Sequence, residues 1–396
     1  MEDGELGGRA YAHVLALAQE PRGAVTDGER RAQEYAARTL GAVCDAVERH
    51  TVTGIPAPMS FSWLLVIGLV LLLFVTWGFA EDPWGVLLYV ALFLGLPRLV
   101  QAVRTRAARG SARASDNLIG HLAPAGEEHA RVIICAHLDS ARAGRLTGAV
   151  WPRLHRFILN TWLQVVLVLA VLAALRWLDF HLGLMPAALW HIVGALAFGY
   201  SLFLASFELV YLVLGRSKEY SPGANDNASG CGVVLALAEA FGRYRPRHLA
   251  LDFTLFTAEE LGLIGSERYV KDKRPDKDRT FVFNLDMVGT GDVLQYARAS
   301  GMPPRRTSRR LNDLLRAADP AIKGRWYLMG NSDSYSFARK GIPTCWLSAR
   351  GNESELVYHT LNDTAERVAP ATLGRAAQAV WQAVQTLDEQ YYTIEV

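Results

Sequence analysis

Cysteine is scarce and scattered in this chain. Cys44, Cys135, Cys231 and Cys345 lie far apart and make no CxxC pair, which argues against a disulfide framework and against a cysteine-built zinc site. Lone thiols of this kind suit a reducing compartment. An excess of either charge is missing too. The 41 Lys and Arg against 39 Asp and Glu leave a formal net charge of +2, too little to draw the whole molecule to nucleic acid, and no nucleic-acid partner is expected. The opening residues, MEDGELGGRAYAHV, hold no early apolar run, so no signal peptide is expected there. Internal repeats and low-complexity tracts are also absent.

Apolar residues, by contrast, are abundant and unevenly spread: 51% of the chain is hydrophobic although 20% is charged. Four apolar stretches stand out, at 59–80, 83–97 (extendable to 103 if Arg98 snorkels), 157–175 and 186–214. Their lengths approach or exceed the roughly 20 residues that span a bilayer as a helix. They pair into two hairpins, 59–105 and 149–215. The turns, GFAEDPW and RWLDFHLGLMP, contain a single basic residue, Arg176. The other flanks carry Arg98, Arg104, Arg106, Arg109, Arg113, Arg142, Arg145, Arg153, Arg156, Arg216 and Lys218. This bias predicts a multi-pass protein of the cell (inner) membrane, with four spans in contact with lipid and everything outside the turns in the cytoplasm. His191 and Glu208 are expected near the two membrane faces, where water reaches them.

The remainder, 1–58, 106–148 and 216–396, reads as one α/β domain in three pieces. Apolar spacing predicts helices over 9–17 and 28–47, and again over 230–241, 262–270 and 371–387. Short β-branched runs predict strands at RVIICA (131–136), LALDFTLFT (249–257), TFVFNL (280–285) and 343–347. Such alternation implies a mostly parallel mixed sheet covered by helices. His137 and Asp139 follow the first of these strands, Glu259 and Glu260 the second, and Asp286 the third. Sites in open α/β sheets assemble at the carboxyl ends of strands, so these clusters are expected to converge. A pair of metal ions about 3.5–4 Å apart needs nitrogen or oxygen ligands, a bridging carboxylate and open positions. A further carboxylate must stay off the metals to accept a proton from water.

The segments AHLDS, SPGANDNASG, TAEELGLIGS, NLDMVG and VYHTLNDT, in that order, resemble the zinc aminopeptidases of metallopeptidase family twenty-eight. That group includes secreted bacterial leucyl-type aminopeptidases, with glutaminyl cyclases and transferrin-receptor-like proteins as relatives. The resemblance covers nearly all of the chain outside the hairpins and implies a zinc exopeptidase fold with two zinc ions per chain. It implies His137 and Asp286 on one zinc, Glu260 and His359 on the other, and Asp226 bridging them. Glu259 would be the general base and Tyr358 a hydrogen-bond donor to the tetrahedral intermediate. Asp139 is placed to accept the other N–H of the His137 imidazole and fix its tautomer, and Asp363 to act similarly near His359. The expected function is a membrane-anchored aminopeptidase acting on peptides.

Two departures qualify the resemblance. In simple members of the family only a short stretch separates the HxD and GANDN segments, whereas here that interval holds the second hairpin. The catalytic site would then hang close beneath the bilayer, favouring membrane-proximal or apolar peptides. Ser334, after Asp333, stands where many relatives carry a bulkier residue. Three alternatives remain on the sequence alone: a non-catalytic scaffold, a glutaminyl cyclase and a transporter. The retained ligand set and the GANDNASG loop favour the peptidase, and the sequence leaves the oligomeric state open.

Overall fold

A computed structural model describes residues 3–57, 110–144, 150–214, 216–301, 303–327 and 330–392, with scattered positions between 70 and 106. The chain divides into two units. One comprises Met1–Ala57, Ser111–Gly144 and Ser217–Val396; the other comprises Pro58–Gly110 and Arg145–Arg216.

The described strands are β1 Ala46–Thr53, β2 Ala114–Leu122, β3 Ala130–His137, β4 Arg142–Gly144, β5 Arg216–Tyr220, β6 Leu249–Phe256, β7 Thr280–Leu285, β8 Val293–Ser300, β9 Arg305–Arg306, β10 Lys323–Tyr327 and β11 Thr344–Arg350. The main sheet runs β1-β2-β6-β3-β7-β11-β8-β10, with β9 paired to β8 and a separate β4–β5 ribbon. Its centre, β6-β3-β7-β11, is parallel, and β2 and β8 flank it antiparallel. Strands covered on both faces are mostly apolar, and every residue of β6 and β7 is buried, the polar Asp252 and Asn284 being hydrogen-bonded to Arg131 and Ser332. Along β3, Val132, Ile134 and Ala136 join a core beneath helices Asp3–Leu17, Asp27–Gly41, Ser229–Arg243, Arg309–Ala318 and Pro370–Tyr392. Ile133 and Cys135 point the other way, to Tyr269, Val270 and Phe337 of helices Ile264–Lys273 and Ser334–Ala338. The period-2 alternation of a strand thus divides one run between two cores. All four cysteines are free thiols.

The helix expected over 28–47 ends earlier, at Gly41, and the chain turns into β1, which pairs with β2 along its whole length. Thr26 opens this helix: its hydroxyl accepts the Glu29 N–H, and Glu29 in turn accepts the Val25 N–H at 2.6 Å.

In the second unit, stretch 157–175 lies within a helix, Val150–Leu182, and stretch 186–214 forms another, Ala187–Leu214. Asp179 ties their turn by accepting the Met185 N–H at 2.7 Å and the Trp190 Nε1–H at 2.6 Å. Gly183, at φ +64°, stops the first helix, and Pro186 precedes the second. Among the described residues one helical segment, Ala187–Phe207, is long and apolar enough to cross a membrane by length and composition. Among the described residues the four expected spans thus have one helix that meets this test, and the spans of hairpin 59–105 fall largely outside the described residues. His191 is exposed on its helix.

Candidate metal centre

The expected ligands converge at the carboxyl ends of the parallel strands. His137 is the last residue of β3, and Asp286 directly follows β7. Glu259 and Glu260 follow β6 after Ala258, which turns the chain with a left-handed φ of 53°. Asp226 lies in the buried turn Ala224–Ala228, and His359 follows helix Asn352–Val357 with φ 54°. Non-glycine residues held in this region of backbone space are costly and gather where a site demands them.

Two sets of side-chain contacts meet at Asp226. His137 Nε2 is 3.2 Å from Asp226 Oδ1 and 3.7 Å from Asp286 Oδ1. His359 Nε2 is 3.2 Å from Asp226 Oδ2 and 3.2 Å from Glu260 Oε2. Ligating atoms of His137, Glu259 and Asp286 all lie within 4.8 Å of one another, as do those of His137, Asp226 and Glu260. Tyr358 stacks on the His359 ring, centroids 3.8 Å apart, and at 39% exposure it faces outward.

The electrostatics of this cluster call for a cation. Burial alone would keep the His137 and His359 imidazoles neutral, but the surrounding carboxylates outweigh it and raise both pKa values well above normal. Asp226 is the converse case: burial would raise its pKa, yet hydrogen bonds from the two imidazoles hold it below the usual range. Burial pushes Glu259 well up. Glu260 Oε1 is buried without a hydrogen-bond partner, an acceptor that a metal ion would satisfy. The imidazole and carboxylate donor set fits zinc.

Asp139 works differently from the expectation. The His137 Nδ1 partner is the backbone carbonyl of Asp139, at 3.0 Å, while the Asp139 carboxylate is 3.8 Å away. That carboxylate instead accepts the Glu259 and Glu260 backbone N–H groups, at 2.9 and 3.2 Å. A left-handed turn leaves these two N–H groups without partners in their own segment, and a buried carboxylate is the stronger acceptor for them. Asp363 likewise binds backbone: its two oxygens accept the Asn225 and Asp226 N–H groups at 2.7 and 3.0 Å. Burial raises Asp363 to about 7. Ser334 is buried at the start of its short helix, and burial lifts neighbouring Asp333 to about 7.

Three supporting residues escaped the sequence reading. Arg22, fully buried, donates to the carbonyls of Leu17, Leu138, Pro222 and Gly223, clamping the end of β3 to the Asp226 loop. Asn225 Oδ1 accepts the Gly289 and Thr290 N–H groups. Asn227 joins Leu285, Gly230 and Met287. The two asparagines flank Asp226 in GANDNASG, a signal that could have marked them; nothing local marks Arg22. Gly223 has φ +61°, and a Cβ there would meet the Asp226 carbonyl oxygen at 2.5 Å.

Comparison with known proteins points the same way. Residues 214–384 match the family model described as peptidase family M28. The chain resembles an M28 zinc peptidase. It is 34% identical over 190 residues to aminopeptidase YwaD of Bacillus subtilis (strain 168), a match that covers 45% of this chain and 40% of that protein. The chain thus spans well under two thirds of this relative. The fold is similar to that of BSAP, a zinc aminopeptidase from Bacillus subtilis (TM-score 0.55, 17% identity, 96% of this chain and 95% of the other). It is also similar to that of the Bacteroides thetaiotaomicron glutaminyl cyclase (TM-score 0.54, 15% identity, 96% and 97%). The M28 match and the aminopeptidase relatives support a zinc metallopeptidase.

Proposed function

We propose that the chain removes N-terminal residues from peptides at a two-zinc site, anchored in a membrane with its catalytic unit facing the cytoplasm. The observation that carries this reading is Asp226, whose two carboxylate oxygens face two different imidazoles at 3.2 Å each. One half-site is His137 and Asp286, the other His359 and Glu260, with Asp226 common to both. Zinc ions held there would lower the pKa of a water molecule and polarise the scissile carbonyl.

The chain's own residues supply the remainder. Glu259 is half-buried and not needed to complete either half-site, so it serves as general base, taking the water's proton and returning it to the leaving amine. The Asp139 carboxylate fixes the Glu259–Glu260 turn and so aims both side chains. Tyr358, at the exposed edge, donates its hydroxyl to the oxyanion. The surrounding carboxylates provide the negative field that a free substrate α-amine requires, which restricts cleavage to the first residue.

Anchoring is supported by the apolar side chains that helices Val150–Leu182 and Ala187–Leu214 leave exposed, among them Leu167, Val171, Leu175, Phe180, Ile192, Leu196 and Phe203. Lipid contact accounts for such a series, and the basic flanks orient it.

Substrates discriminate the readings. A peptide with a free N-terminus should be cleaved and its N-acetylated counterpart spared. Cyclisation of an N-terminal glutamine peptide without hydrolysis of any other would replace the peptidase with the cyclase that the second structural neighbour suggests. Failure to act on either would leave a scaffold.

A further inference from the structure

We propose that a cleft at the opposite end of the strands from the metal centre binds a phosphate-bearing anion of several negative charges through Lys271, Arg274, Lys277 and Lys340. The cleft has a volume of about 440 Å³, and the four cations line it together with Val270 and Ile342. It lies by the amino ends of β7 and β11, where the Pro343 carbonyl accepts the Val282 N–H. The metal ligands stand at the carboxyl ends of the same sheet.

The segment that supplies three of the cations, KDKRPDKDR, alternates basic with acidic residues, and a solvated surface of this composition normally pairs its own charges. Two of its three acids have contacts of their own. Asp272 pairs with His50 at 3.2 Å, and Asp276 accepts the Asp278 N–H at 2.9 Å. Lys273 bonds Glu48. A neighbouring cleft shares Arg274 and Pro275 but contains Glu128, Asp252 and Asp276, and its Arg131 is bound to Glu128 and Asp252. The proposed cleft has no acidic residue in its lining. Lys271, Arg274, Lys277 and Lys340 make no ion pair among the described residues.

The simplest competing explanation is that basic residues offset the partial negative charge at the end of helix Ile264–Lys273. It accounts for Lys271 but not for Lys277, four residues beyond the helix, nor for Lys340, which comes from a different element. Arg274 adds a second indication. It occupies the helix C-cap with φ 48°, where glycine is the usual residue, and it precedes a proline, which disfavours that conformation further. An arginine there places a guanidinium where glycine would place nothing. Four cations lining one cleft suit a charge-dense oxyanion, and the arginine fork suits phosphate oxygens.

The ligand's source, a free polyphosphate or a lipid headgroup, is separable by probe. The full-length, metal-loaded protein in detergent would be titrated calorimetrically with inorganic tripolyphosphate and, separately, with dihexanoyl phosphatidic acid below its micellar concentration, at about 0.15 M salt. Binding at one site per chain is expected, weakened at least tenfold in Lys277→Gln/Lys340→Gln. It should be unchanged in Arg309→Gln/Lys323→Gln, which removes the same charge outside the cleft. Tighter binding of the lipid analogue or of the polyphosphate identifies the source. Equal affinity in the cleft variant would place the anion elsewhere, including at the metal centre, and overturn the proposal; so would equal weakening in both variants, or no binding. These readouts do not involve hydrolysis and stand apart from the peptidase assignment.

Discussion

At Asp226 one carboxylate oxygen faces each imidazole, and the residues that set its position are as consequential as the ligands. Asp363 holds the backbone of Asn225 and Asp226. Replacing it with asparagine turns one acceptor into an NH2 group facing a backbone N–H. Asp363→Asn should therefore weaken metal binding by about 10–100-fold, read by competition with a chelator; undiminished affinity would show that the loop holds itself. His121 offers a test remote from the centre. Its Nδ1 is 2.8 Å from Asp252 Oδ1, and that hydrogen bond, opposed by partial burial, raises its pKa above the ordinary 6.5. Folding thus takes up a proton here, so the stabilisation is complete below about pH 6.5 and is lost as pH rises through the raised value. The melting temperature of the wild type should fall across that window more steeply than that of His121→Gln, and parallel curves would contradict the linkage. The convergence of His137, Glu259, Glu260 and Asp286 was legible because these residues come just after apolar runs, whereas Asp226 and His359 were singled out by the resemblance of GANDNASG and VYHTLNDT alone. The roles of Asp139 and Asp363 were not, since both act on backbone N–H groups whose direction depends on turns that the sequence does not display.

Among the elements, the central strands β3, β6 and β7 are readable because burial on both faces demands continuous apolar runs. β1 and β2 are not: AVERHTVT and ASDNLIGHL are polar and half-exposed at the sheet margin, so β1 was partly absorbed into a helix expected to reach Val47. Arg22 shows the same limit in another form. It joins the end of helix Asp3–Leu17, the end of β3 and the Pro222–Gly223 turn through four carbonyls, three of them more than a hundred residues away. Arg22→Met removes the donors from three buried carbonyls and one partly buried, each buried one worth about 1–3 kcal/mol when left unpaired. A loss of about 3 kcal/mol or more in unfolding free energy is expected, together with weaker metal retention. A change below about 1 kcal/mol by denaturant titration would mean that water replaces the guanidinium.

On the scale of the whole molecule, the α/β unit is interrupted in sequence by the segments Pro58–Gly110 and Arg145–Arg216. The exposed leucines and phenylalanines of helices Val150–Leu182 and Ala187–Leu214 predict that the protein stays with the membrane fraction through an alkaline carbonate wash. Release into the supernatant would refute the anchor without touching the chemistry.

That chemistry rests on the assignment of Glu259 as base beside a two-metal cluster, and one paired measurement tests it most directly: metal content and N-terminal peptide hydrolysis for the wild type beside Glu259→Gln. The account predicts two zinc ions per chain in both proteins, and a rate about 10²–10⁴-fold lower in the variant. Full activity in Glu259→Gln, or loss of metal together with activity, would contradict it.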